Sequence, residues 1–337
     1  MAGSHPEPQR RRTQGVRSAL AAALLLGFTP IFGKQAIAAG MPPLTVVALR
    51  TAAATFLVFV VMRLQRRTLA IYPVGFLGCL LAGVVNGVGS LMYYAGLARL
   101  DAGLAQGMFA LYPLFVAMLL YLDGQRHGRA VLVALALGLP AVYLLTRAEP
   151  GAVDPRGVGM MLGAGLLYAL HIPINERVLY EVPAPTVTFY TLAAMTAVVV
   201  PVWLTQAPWR LPLPSAAAVP LVGLTAVTFL SRLALFSGVK SIGGLQTTFL
   251  GLTELVVALV AARLWLGEAW TLWQVAGGLL LAAALWLAGL DRPRAARDRR
   301  VGWLYWLRPP IPAALGLHPE RASDDPPTGA RPEADVP

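Results

Sequence analysis

The chain has one cysteine, four histidines and few charges: 13% of its 337 residues are charged, where a soluble domain carries about 25%. A lone cysteine, Cys79, cannot close an internal disulfide, and lying in an apolar run it reads as a small packing residue. His5, His127, His171 and His318 are scattered, so no Cys/His grouping has metal-ligand spacing. No glycine-rich loop ends in Gly-Lys-Ser/Thr, which argues against ATP as the energy source. No nucleophile–base pair or metalloprotease spacing stands out, which disfavours an embedded enzyme. A sensory or structural membrane module would bring a sizeable soluble domain, and no stretch has that composition. No prosthetic cofactor and no metal are implied.

What is abundant is apolar: 57% of the residues are hydrophobic and the mean hydropathy is +0.65. One soluble core could not hide this surplus, so a bilayer is its natural solvent. Ten apolar segments follow one another, at roughly 17–38, 44–63, 72–97, 104–121, 129–147, 157–178, 186–204, 216–238, 244–265 and 270–290. Each is about as long as a helix needs to cross ~30 Å of hydrocarbon. They are continuously apolar and rich in Ala and Leu, which excludes the alternation of barrel strands. Internal glycines such as Gly83, Gly87, Gly89, Gly163 and Gly165 let helices approach closely in lipid. The first segment, preceded by Arg10, Arg11, Arg12 and Arg17, imitates a signal peptide, but it is too long for a signal's apolar core and has a counterpart later in the chain.

That counterpart belongs to a repeat with an offset of 142 residues. Gly15-Val16 answers to Gly157-Val158, Pro43 to Pro185, Ala52 to Ala194, Leu91 to Leu233, Gly96 to Gly238 and Leu145 to Leu287. Repeats of this kind point to transporters built from duplicated halves. With the N-terminus placed in the cytoplasm, sixteen Arg and Lys residues near helix ends fall inside and only Arg99, Arg147, Arg156 and Arg210 outside. The net charge of +11 thus reads as loop charge in the positive-inside pattern rather than as a nucleic-acid surface. Five helices per half is an odd number, so the second half enters the membrane from the opposite side. The expected fold is therefore an all-α membrane protein of ten transmembrane helices in two inverted five-helix repeats.

The expected organisation is a cytoplasmic arm (1–16), a first repeat (17–147), an external linker (148–156), a second repeat (157–290) and a cytoplasmic tail (291–337). The tail turns Arg-rich and then rich in Pro, Asp and Glu, which predicts disorder over 318–337. Within it, Trp303-Leu304-Tyr305-Trp306-Leu307 suits a membrane interface or a merely sticky tail.

Several short motifs then carry a resemblance. Gly27 with Lys34, Pro42-Pro43 and Arg50 open the chain. Gly96-Leu97 is followed seventeen residues later by Pro113-Leu114-Phe115. Gly238-Val239-Lys240 begins the same spacing, which ends at Thr253-Glu254-Leu255. Gly267-Glu268 precedes the last helix. In order and spacing, over about 15–290, this resembles the EamA-like branch of the drug/metabolite transporter superfamily. The resemblance implies a secondary transporter of the inner membrane with both termini cytoplasmic. Such a protein would export a small metabolite, an amino acid or a drug by alternating access, with protons as one candidate coupling ion. A channel or a lipid flippase shares the composition, and a homodimer stays open. Two departures stand out. Leu255 replaces the proline usual after the glutamate, which predicts a helix without its usual kink there. Gly124-Gln125 stands where the first half often carries Gly-Glu.

A charge inside a membrane helix is expensive and usually faces a cavity or a partner. Glu254, mid-way along the ninth segment, could exchange a proton and couple transport to a gradient, or serve as a fixed partner for Arg232 or backbone groups. Arg232 could hold an anionic substrate group, pair with Glu254, or snorkel to the nearby interface. Lys34 and Arg50 either snorkel outward or, as the resemblance suggests, shape the central pathway. His171, two residues before the helix-bending Pro173, is proton-responsive or structural. Asn86, Tyr93, Tyr94 and Gln246 line a cavity or glue helices together. Trp265, Trp270 and Trp273 read as an interface belt.

Overall fold

Proline at the first turn and long apolar runs set the helix starts. Pro43, Pro73 and Pro155 each occupy the first helical position, where a missing N–H costs nothing. The computed structural model describes residues 7–123, 129–146, 153–206, 214–269 and 271–289; those residues contain helices and no strand. Eight helices are long and apolar enough to cross a membrane. They are α1 (Arg10–Ala38), α2 (Pro43–Leu64), α3 (Pro73–Leu97), α4 (Ala102–Leu122), α6 (Pro155–Leu179), α7 (Ala184–Gln206), α8 (Ser215–Ile242) and α9 (Gly244–Leu266). Two shorter helices, α5 (Arg129–Thr146) and α10 (Leu272–Gly289), coincide with the fifth and tenth apolar segments. Lipid offers no hydrogen bonds, so the backbone must satisfy itself within helices. Large apolar side chains such as Phe56, Val219, Val222 and Leu264 point outward, as they would towards acyl chains. The Gly124-Gln125 turn, residues 147–152 of the linker, Trp270, and the tail with its Trp303–Leu307 stretch lie outside the described residues.

Three of these rods are broken. α1 runs as Glu7–Gly27 and Thr29–Ala38, with Pro30 opening its second piece. α4 runs as Ala102–Phe109 and Tyr112–Leu122, with Pro113 in the same role. A proline cannot donate to the carbonyl four residues back and clashes with it, so the ladder stops there. α9 lacks that proline, and an uninterrupted helix is the sequence expectation at Leu255. The helix nevertheless breaks four residues earlier, between Gly244–Leu250 and Leu252–Ala261. The break falls at a close approach: a Cβ on Gly251 would collide with the Tyr112 hydroxyl and come within 2.7 Å of the Thr248 carbonyl. Only glycine lets α4 and α9 meet there.

The packing repeats when the halves are exchanged. α3 packs on α6 and α8 on α1; α3 on α7 and α8 on α2; α4 on α6 and α9 on α1; α2 pairs with α7 and α5 with α10. The glycine pairs of the 142-residue offset sit at equivalent crossings. A Cβ on Gly96 would lie 3.0 Å from Met161, and one on Gly238 3.3 Å from Ala19, where 19 + 142 = 161. Enlarging either side overpacks a tight crossing. We expect Gly96→Leu to lower stability by about 1–3 kcal/mol, read as a drop in thermal unfolding temperature in detergent.

A doubly cationic cavity between the halves

The helix breaks converge on a cavity. Thr29 opens the second piece of α1, Phe109 ends the first piece of α4, and Glu254 stands in the first turn of the second piece of α9; all three line it. α2 contributes Arg50, α3 Asn86, Ser90, Tyr93 and Tyr94, α6 Tyr168, and α8 Thr228, Ser231 and Arg232. Its free volume is about 50 Å³, room for a few waters at roughly 10–15 Å³ each.

Two guanidinium groups define its chemistry. Arg50, 5% exposed, donates from Nη1 to Thr228 Oγ1 at 2.9 Å and from Nη2 to Ser90 Oγ, with its guanidinium 4.8 Å from the centre of the Tyr94 ring. Arg232, 6% exposed, donates from Nη1 to His171 Nε2 at 3.1 Å and reaches Asn86 Oδ1 at 3.5 Å, the limit of a hydrogen bond. It stacks 5.2 Å from the centre of the Tyr168 ring. An arginine can only donate, so His171 Nε2 accepts and its Nδ1–H donates to the Tyr168 carbonyl. A fully buried neutral imidazole therefore holds Arg232 in place.

Glu254, 3% exposed, anchors a second network. Its Oε1 accepts from Gln106 Nε2 at 2.8 Å and its Oε2 faces the Tyr112 hydroxyl at 3.5 Å. Gln106 Oε1 in turn accepts from Tyr93 at 3.2 Å. The positive end of the helix piece Leu252–Ala261 favours a carboxylate in its first turn. Glu254 makes no ion pair with Arg232; the ion pairs among the described residues are Arg99–Asp154 (2.9 Å) and Arg177–Asp123 (2.6 Å). Outside the spanning helices, the Arg99 hydrogen bond holds the Asp154 carboxyl below its usual range. The rings of Tyr93, Phe109, Tyr112, Tyr168 and His171 form an unbroken aromatic wall, with neighbouring centroids 4.6–5.4 Å apart.

The structure thus gathers Glu254, Arg232, Arg50, Asn86, Tyr93 and Tyr94 on one cavity, with His171 directly behind Arg232. Lys34 is elsewhere: its Nζ donates to the Leu97 and Leu100 carbonyls, at 3.0 and 2.5 Å, and caps the end of α3. Gln246 lies half-buried on the first piece of α9, away from the cavity walls. Trp265 is exposed and packs edge-on against Phe28 and Phe32. Sequence reasoning missed Ser90, Gln106, Tyr112, Tyr168 and Thr228. The repeat held the signal for three of them. Asn86 and Ser90 plus 142 are Thr228 and Arg232, and Tyr112 plus 142 is Glu254, so equivalent positions meet across the junction.

Apolar helices of spanning length around a cavity lined by buried charged and polar side chains define a polytopic membrane protein. The EamA-like transporter family model matches residues 13–147 and 155–290, most of the chain in two repeats, and the protein belongs to that family. It is 26% identical over 200 residues to an uncharacterized transporter of Archaeoglobus fulgidus, a match covering 58% of this chain and 70% of that protein. A protein solved by crystallography shares the fold at a TM-score of 0.60 and 15% identity, over 83% of this chain and 97% of the other.

Proposed function

We propose that this protein is a secondary carrier that exports a small metabolite, amino acid or drug across the inner membrane by alternating access, with Glu254 as its proton-exchanging group. The observation that carries the reading is the cavity at the junction of the repeats, lined by buried charged and polar side chains. It holds two arginines and a glutamate in a shell of helices that otherwise face lipid. Intramembrane charges of this kind mark solute and proton pathways, and broken helices supply binding groups at mid-membrane in carriers. The exchange symmetry of the packing supports ten spans in two inverted halves, and the Arg and Lys distribution supports cytoplasmic termini. Rocking of one half against the other would open the cavity to each face in turn.

The test is counterflow. Proteoliposomes preloaded with a candidate substrate should accumulate labelled substrate against its gradient. A channel or flippase lets label equilibrate without that overshoot, and such a result ends the carrier reading.

A further inference from the structure

The cavity's charges do not balance, and its open hydrogen-bond positions are one guanidinium N–H and three hydroxyls, all of which can donate. Its walls carry two guanidinium groups against one carboxylate, and neither arginine has an ion pair among the described residues. Their forks are met by the neutral groups Ser90, Thr228, Asn86 and His171. Buried charges are normally paired, because desolvating an isolated ion costs several kcal/mol.

The two guanidinium groups are also neighbours. Arg50 and Arg232 each reach a residue of α3, Ser90 and Asn86, which are four apart; the other partner of Arg50, Thr228, lies four residues before Arg232 on α8, and the other partner of Arg232 is His171 on α6. Residues four apart on a helix lie on one face, with Cβ atoms about 5–6 Å from each other. The two guanidinium groups therefore meet partners about one helical turn apart on α3, on one cavity.

Around them sit unsatisfied groups. Five buried side-chain atoms among the described residues lack a hydrogen-bond partner, and four are on this cavity: Arg50 Nε, Tyr94 Oη, Tyr168 Oη and Thr29 Oγ1. Arg50 Nε and Nη2 form one edge of a fork, the edge that grips a carboxylate side-on. Unsatisfied buried polar groups are rare in native proteins and call for an explanation.

We infer that the cavity recognises the carboxylate of a small organic molecule, seated between Arg50 and Arg232, with the Tyr94 and Tyr168 hydroxyls completing its hydrogen bonds. The tyrosine and phenylalanine wall would take the organic body, and His171 is the positioning residue that fixes Arg232. The inference rests on the carrier reading and names the substrate class of that same site. The shared chemistry is the carboxylate; the ligand is a plain acid or an amino acid with an added ammonium group.

Thermal unfolding of the purified full-length protein in detergent, followed by tryptophan fluorescence, tests it. The probes are phenylacetate, benzoate, succinate and phenylalanine, each beside its amide. At least one acid should raise the unfolding temperature by several degrees where its amide does not; a shift with phenylacetate against one with phenylalanine alone separates the two sources. Arg50→Gln and Arg232→Gln should each weaken that binding at least tenfold. Arg50→Lys and Arg232→Lys, which keep the charge but lose the fork, should fold and still bind at least tenfold more weakly. Glu254→Gln removes the opposing negative charge and should tighten binding several-fold, a gain that a merely structural role would not produce.

Stabilisation by none of the acids, or equal stabilisation by the amides, overturns the inference. Acid binding without counterflow would sink the carrier reading and keep the site. Counterflow of an amide with no acid bound would sink the site and keep the carrier.

Discussion

Glu254→Gln should cut transport driven by a pH gradient by about 100-fold, or to the leak of empty liposomes, while the protein stays folded. A factor of 100 corresponds to about 2.8 kcal/mol. The fold survives because glutamine keeps the shape and both hydrogen bonds. Gln106 Nε2, now 2.8 Å from Glu254 Oε1, can still donate to an amide oxygen, and the Tyr112 hydroxyl can turn to accept from the amide nitrogen. What glutamine cannot do is take and release a proton. Exchange of substrate for substrate needs no net proton movement, so counterflow without a gradient should persist in this variant. Both activities are measured in the same proteoliposomes, with and without an imposed pH step. Gradient-driven transport at the wild-type rate in Glu254→Gln would remove the glutamate from coupling.

Much of this architecture was legible before any coordinates. Apolar runs separated by short polar turns specify bilayer helices because lipid leaves the backbone no alternative. The glycine pairs at constant offset reported the duplication, since close helix crossings tolerate no larger residue: Gly96 and Gly238 pack at equivalent crossings. Charge in an apolar segment, the rule that singled out Arg50, Arg232 and Glu254, also found the cavity, because desolvation permits such groups few other places. Lys34 satisfied the same rule for a different reason. Its chain is long enough to reach the end of a neighbouring helix, so it caps carbonyls on α3 instead. Gln246 and Gln106 are alike as sequence, and only the three-dimensional register puts Gln106 against Glu254 and leaves Gln246 outside. The break in α9 escaped notice because one glycine within an apolar run is a weak signal on its own. What marks Gly251 out is three-dimensional: the Tyr112 hydroxyl occupies the space that a side chain there would need. Neutral partners such as Ser90 and Thr228 escaped for a related reason, since hydroxyls are common in membrane helices and mostly bond their own backbone, as Thr228 also does to Leu224.

The second large effect is expected at the end of α6. Arg177 and Asp123 form a 2.6 Å ion pair in which the carboxylate side chain is 1% exposed and the guanidinium 11%, tying α6 to the end of α4. On the same face the Glu176 carboxylate lies against Gly243 and Gly244 at the start of α9, and Lys240 Nζ donates to the Val182 carbonyl at 2.9 Å. The opposite ends of these helices are joined differently. Glu268 accepts from the backbone N–H groups of Ala102 and Gly103 at 2.6 and 2.8 Å, and Arg99–Asp154 is a solvent-exposed pair. An exposed pair contributes about 0–1 kcal/mol, whereas removing one partner of a buried pair costs about 3–5 kcal/mol. Asp123 keeps other contacts, so the lower figure applies. Arg177→Met should therefore destabilise this arrangement of the helices by about 3 kcal/mol. Parting the helices on that face would let water reach Asp123 and recover much of the cost. Recovering even about 1.4 kcal/mol of it shifts the population tenfold towards a cavity more open on the Arg177 side. A cysteine at Ser231, which is buried on the cavity wall, reports this once the lone native thiol is removed by Cys79→Ser. A membrane-impermeant maleimide should label it about tenfold faster in Arg177→Met from the Arg177 face and no faster from the other. Arg99→Met should change the labelling little. Equal acceleration by both variants would mean that neither pair gates the cavity and that the loss in Arg177→Met is one of stability alone.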